Sequence, residues 1–160
     1  MLLARIARRS LLASGILAIC YAGAPAFAQQ AEPRLALKGY DPVAYFTIGR
    51  PVPGNPDFKF EVDEVLYQFA TKQHLALFQS DPDRYAPQYG GLCAMGLAAK
   101  GYEVEANPDN WVIHDGRLYV MQRDFGPVGF HKDPERWISS ADVQLAALKG
   151  APIGSGISWW

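Results

Sequence analysis

The sequence predicts a small single-domain α+β fold, and three observations carry that expectation. Residues 58–63 and 65–69 alternate around Asp63-Glu64, and residues 111–114 and 117–121 alternate around Asp115-Gly116, so two β-hairpins are expected. Asp-Gly is the stronger turn signal, because a type I′ turn needs positive φ at both central positions. Thr71, Asp81 and Asp133 each stand where a side-chain oxygen can cap a helix. Finally, 132 residues follow a 28-residue leader, enough for one domain with a real core.

The leader reads as an export signal. Arg5, Arg8 and Arg9 precede an apolar stretch over residues 11–22, and Ala26-Phe27-Ala28 offers small residues for cleavage before Gln29. The apolar stretch is shorter than the roughly 20 residues that span a bilayer. Arg8-Arg9 also fits a twin-arginine signal, whose passengers cross already folded. Bulky Ile19 before Cys20 disfavours a lipoprotein. The expected address is periplasmic or secreted, after cleavage near Ala28.

The elements follow in order. Residues 29–36 read as a lead-in, and the domain proper as 37–149. Asp41 caps a short turn through Phe46, with Pro42 at its first position. Residues 49–57 form a Pro/Gly loop before the first hairpin. Thr71 caps a helix to about Ser80 with Leu75 and Phe78 on one face, and Asp81-Pro82 restarts a turn ending at Tyr85. Gly90-Gly91 breaks the chain, and residues 92–100 form a short helix closed by Gly101. After the second hairpin, Asp133-Pro134 opens a C-terminal helix with Trp137, Ile138, Ala141, Leu145 and Leu148 at helical spacing. Residues 150–160 are a Gly-rich flexible tail. Asp81-Pro82, Asn107-Pro108 and Asp133-Pro134 begin 26 residues apart, but the intervening sequences differ, so they read as three uses of one capping chemistry rather than a repeat.

Composition narrows the partners. The leader takes three arginines and no acids, leaving the mature chain at −4 from −1. Nothing resembles a basic stripe for phosphates, so nucleic acid is not expected, nor is adhesion to anionic lipid. Cys20 leaves with the leader, so Cys93 is the one mature cysteine and no internal disulfide can form.

Four ordered motifs resemble the YHS-domain family, and its exported bacterial branch in particular. They are Tyr40-Asp41-Pro42-Val43-Ala44-Tyr45-Phe46, Tyr67-x-Phe69-Ala70-x-x-x-His74, Phe78-x-x-Asp81-Pro82-x-x-Tyr85 and Tyr89-Gly90-Gly91-x-Cys93-Ala94. The resemblance spans residues 37–148. It implies a small α+β domain and suggests a transition-metal role. The cysteines that the wider family often carries are replaced here by Ala44, Ala70 and His74. Structural zinc, which needs four Cys or His ligands, is therefore not expected.

The candidate metal ligands are His74, Cys93 and Met95, a soft set suited to copper. His74 falls in the first turn of its helix, where the dipole favours a neutral imidazole; packing beside Leu77 and Phe78 is the competing role. Cys93 should lie near a helix start, where amide dipoles favour the thiolate; a buried small hydrophobe is its alternative. Tyr40, Asp41, Tyr85 and Tyr89 are candidate pocket residues, set against core tyrosines with bonded hydroxyls. His114 is expected to face solvent on its hairpin, and His131 to lie on the surface. No nucleophile elbow and no acid–base pair can be assembled.

The expected function is an exported binding module rather than an enzyme, holding a soft transition metal such as copper. The alternatives are an accessory module that takes a small molecule or protein in an aromatic cleft, and a single-cysteine redox protein working through mixed disulfides. The expected partners are a metal ion or a periplasmic protein.

Overall fold

The computed structural model describes residues 32–148, so the readings of the leader and of the tail concern residues outside that range. The α+β expectation holds. Strands β1 (Arg34–Leu35), β2 (Asn55–Val62) and β3 (Val65–Phe69) form one sheet in the order β1-β3-β2. Strands β4 (Asn107–His114) and β5 (Arg117–Met121) form a second, two-stranded one. The helices are α1 (Ala44–Thr47), α2 (Lys72–Ser80), α3 (Pro82–Tyr85), α4 (Ala94–Lys100), α5 (Gly126–Lys132) and α6 (Pro134–Leu148). Among the described residues no helix is long and apolar enough to cross a membrane.

Both expected hairpins form, and both begin earlier than alternation alone indicates. Asn55 and Asn107 each open a strand by accepting a hydrogen bond from the amide two residues on, at 2.9 and 3.1 Å. The register shifts just after each, between Asn55 and Lys59 and between Asn107 and Trp111, so the extra residues bulge out of the ladder. Asn107-Pro108 thus starts a strand, whereas Asp81 and Asp133 do cap helices: their carboxylates accept from the amides of Arg84 and Arg136. At the turns, Asp63, Glu64, Asp115 and Gly116 all have positive φ, as type I′ requires.

Two segments depart from expectation. Residues 34–36 of the lead-in are part of the domain: Arg34–Leu35 pairs in parallel with Val65–Leu66, and Ala36 is buried. Helix α5 has no counterpart in the sequence-based expectation, because Gly126, Pro127 and Gly129 carry no helical preference. Tertiary packing makes it helical, with Phe130 fully buried beside Tyr119 at 4.9 Å. Pro127 is at home in its first turn, where its missing N–H would have no partner anyway.

The core is aromatic and continuous. Phe78 on α2 meets Tyr67, Phe69 and Phe60 at ring distances of 4.9, 5.1 and 6.2 Å, which fixes α2 across the first hairpin. Helix α6 turns Ala141 fully inward, with Trp137, Ile138, Leu145 and Leu148 half-buried on the same side, and lies along α4. The Trp137 indole donates to the carbonyl of Gly129 at 3.3 Å, pinning the start of α6 to α5.

Candidate functional site

Asp41 is fully buried, yet every oxygen is used. Oδ1 accepts from the amides of Val43 and Ala44 at 2.8 and 3.4 Å, closing the turn into α1. Oδ2 accepts from the Ala70 amide at 2.8 Å and meets His74 Nδ1 at 2.6 Å. One carboxylate therefore joins the entry of α1, the end of β3 and the first turn of α2.

His74 is held from the other side as well. Thr71 caps α2 by accepting the His74 amide at 3.1 Å, which sets the backbone. The imidazole, 13% exposed, then turns Nε2 to the hydroxyl of Thr47 at 3.2 Å. That hydroxyl also lies 3.0 Å from the carbonyl of Val43. It has one proton: given to Val43, it leaves Nε2 as donor, and turned to His74 it makes Nε2 the acceptor. Either way the ring is oriented by a carboxylate on one nitrogen and presents the other near the surface, beside exposed Thr47. Ile48, next in the chain, and Leu77, one turn on from His74, are exposed large apolar residues. The Asp–His–Thr series has the order of an acid–base relay, but Thr47 ends α1, where carbonyls rather than amides point outward, and the amides of Ile48 and Gly49 are bonded to Ala44.

Cys93 has a different setting. It is 5% exposed and belongs to the core, with its amide bonded to the Val104 carbonyl at 2.7 Å and a bridge to Val120. Its sulfur accepts from the amides of Gly96 and Gln122, each at 3.2 Å, so the thiol is the N-cap of α4. The helix-start placement was expected, and the competing role of a buried residue is the one observed. Met95 turns its thioether toward Gly129 of α5. Of the proposed copper ligands Cys93, His74 and Met95, the Cys93 sulfur is engaged by two amides in the core, and the one group of three or more ligating His, Cys, Asp or Glu side chains among the described residues lies elsewhere.

The candidate pocket residues also separate. Tyr85 is nearly buried against Phe46, ring to ring at 5.5 Å. The Tyr89 hydroxyl lies 3.1 Å from Asp142 Oδ1 and 3.3 Å from the Ile138 carbonyl on α6. Burial and then the Asp142 carboxylate push that phenol well above its usual range. Tyr40 bridges to Pro53. None of these lines the open depression bounded by Arg34, Leu37, Lys38, Glu105 and Ala106. All three pack in or against the core, and Tyr89 alone among them has a bonded hydroxyl, which leaves Asp41 and His74 as the site residues brought together.

The group that does gather is His114, Asp115 and Glu135, whose donor atoms lie within 4.8 Å of one another. His114 is not simply solvent-facing. Its ring packs edge-on against Phe130 at 6.1 Å, and Nε2 lies 3.2 Å from Glu135 Oε1 and 3.7 Å from Asp115 Oδ2. His131 is exposed, as expected. The sequence showed neither this cluster nor the Asp41–His74 pair, whose members stand 33 residues apart; a buried acid in an Asp-Pro pair and a histidine three residues past a cap were the available signals. Comparison of the chain with family models, with curated proteins and with solved structures returned no match.

Proposed function

We propose that this protein is an exported YHS-type accessory module that binds a small molecule or a protein partner at the surface built on Asp41, His74 and Thr47. The observation that carries the proposal is the 2.6 Å contact that aims the His74 imidazole, while Cys93 is committed to capping α4. A carboxylate-held imidazole rimmed by exposed Ile48 and Leu77 offers one directional polar group within an apolar rim, the ordinary composition of a binding site. The test is a photo-crosslinking amino acid at Ile48 in the exported full-length chain, with and without His74→Ala. A defined adduct that needs His74 is expected. Equal adducts in both, together with a copper equivalent lost on changing either Cys93 or His74, would overturn the reading.

The second cluster favours a second reading, a divalent ion such as Zn²⁺ on His114, Asp115 and Glu135. Tetrahedral ligands about 2.0–2.2 Å from an ion stand roughly 3.3 Å apart, and the observed nitrogen-to-oxygen distances of 3.2 and 3.7 Å bracket that value. Zn²⁺ titration should show one equivalent that Glu135→Gln weakens about tenfold or more; binding unchanged by that substitution would end this reading.

A further inference from the structure

We infer that the domain is two tandem copies of one unit of fifty residues, 36–85 and 88–137, and that Asp41 and Cys93 are the same position in the two copies: the buried acceptor that anchors the helix entry to the hairpin. The offset is 52 residues without a gap. The hairpins correspond end for end: β2 at 55–62 to β4 at 107–114, and β3 at 65–69 to β5 at 117–121. The Asp-Pro helix starts at 81 and 133 correspond as well, so the 26-residue spacing does not mark a repeat but twice that spacing does. Thirteen of the fifty paired positions hold the same residue, among them Tyr67 and Tyr119, and Phe78 and Phe130; chance at ordinary residue usage gives roughly three.

Backbone conformation makes the case independently. The described residues with positive φ are twelve, and they fall into six pairs 52 apart, with no remainder. Leu37, Lys38 and Gly39 at 50°, 53° and 84° match Tyr89, Gly90 and Gly91 at 57°, 61° and 82°. Left-handed leucine, lysine and tyrosine are uncommon, so the same costly path taken twice at one spacing is a shared inheritance rather than a turn preference. The isolated bridges agree: Tyr40 to Pro53 becomes Leu92 to Glu105.

The anchor follows the same rule atom by atom. The Asp41 amide bonds to the Val52 carbonyl, and the Cys93 amide to that of Val104. The Asp41 carboxylate accepts from the amides of residues 44 and 70; the Cys93 sulfur accepts from those of 96 and 122. The thiol thus does in the second copy what the carboxylate does in the first. His74 has no counterpart, because its equivalent is Gly126, where a Cβ would lie 2.5 Å from that of Met121. The lone cysteine is a positioning residue, and only the first copy carries an imidazole on its anchor.

Amide hydrogen exchange on the full chain tests the equivalence. Cys93→Ala should speed exchange selectively at Gly96 and Gln122, by tenfold or more, and Asp41→Ser should do so at Ala44 and Ala70. Thermal melts supply the second arm. An anchoring acceptor ranks Cys93→Ser above Cys93→Val in Tm, whereas a merely apolar core position ranks them in reverse. Unchanged protection at those four amides, or the reversed ranking, would overturn the inference.

Discussion

Four hydrogen bonds converge on the carboxylate of Asp41, and a buried acceptor with that many donors is costly to change. Asp41→Asn would set an amide NH₂ against the Ala70 N–H, so urea unfolding should show a loss of about 2–3 kcal/mol. His74→Gln removes one contact on the exposed side and should cost about 1 kcal/mol. In the double variant the two losses should fall short of additivity by roughly 1 kcal/mol, as for groups in direct contact. Tyr67 supplies the pH dependence at this scale. Burial, partly offset by Arg34, raises its phenol from 10.0 to about 12. The folded state thus holds the proton more tightly than the unfolded chain, so this group's stabilisation is complete below pH 10 and is lost as pH rises through about 12. Tyr67→Phe should flatten the alkaline limb of a Tm-against-pH curve; an unchanged limb would show that Tyr67 does not contribute to it.

At the scale of elements, the first hairpin carries a cost that the second avoids. Glu64 has φ +63°, and its equivalent is Gly116 at +73°. Glu64→Gly should therefore stabilise the protein by about 1 kcal/mol, read as a higher urea midpoint with unchanged slope. Phe78→Ala, which empties the contact of α2 with three rings, should cost about 3–5 kcal/mol. Legibility in the sequence followed the range of the interaction that makes each element. Thr71, Asp81, Gly101 and Asp115-Gly116 act on backbone within four residues of themselves, and the elements they mark are where they were expected. Helix α5 depends on burying Phe130, and β1 on a strand thirty residues away, so neither left a local signal. The same distinction explains the site: the placement of Cys93 at a helix start was readable, whereas the bond of its sulfur to Gln122 and that of His74 to Asp41 are tertiary.

For the whole molecule, the aromatic core of the described residues should suffice for folding without metal. Protein treated with chelator and reductant should melt in one cooperative transition, by calorimetry and circular dichroism alike. A chelator-unfolded chain would mean that an ion supplies folding energy, as in small zinc domains. The paired copies also explain how 26-residue spacing misleads: Asn107-Pro108 matches Asn55-Pro56, not Asp81-Pro82, so helix starts and strand starts alternate along the chain.

Strand β1 lies just ahead of the first copy, and it gives assembly an order in time. Arg34 and Leu35 leave the ribosome before any other part of the sheet, but their partners Val65 and Leu66 come thirty residues later. The Arg34 guanidinium bonds to the carbonyl of Gly90, which is later still and belongs to the second copy. Within its own sheet the earliest strand therefore completes its contacts late, once the chain has reached the opening turn of the second copy. It works as a clasp from the first copy onto the start of the second, and a chain halted before Gly90 would leave it half closed.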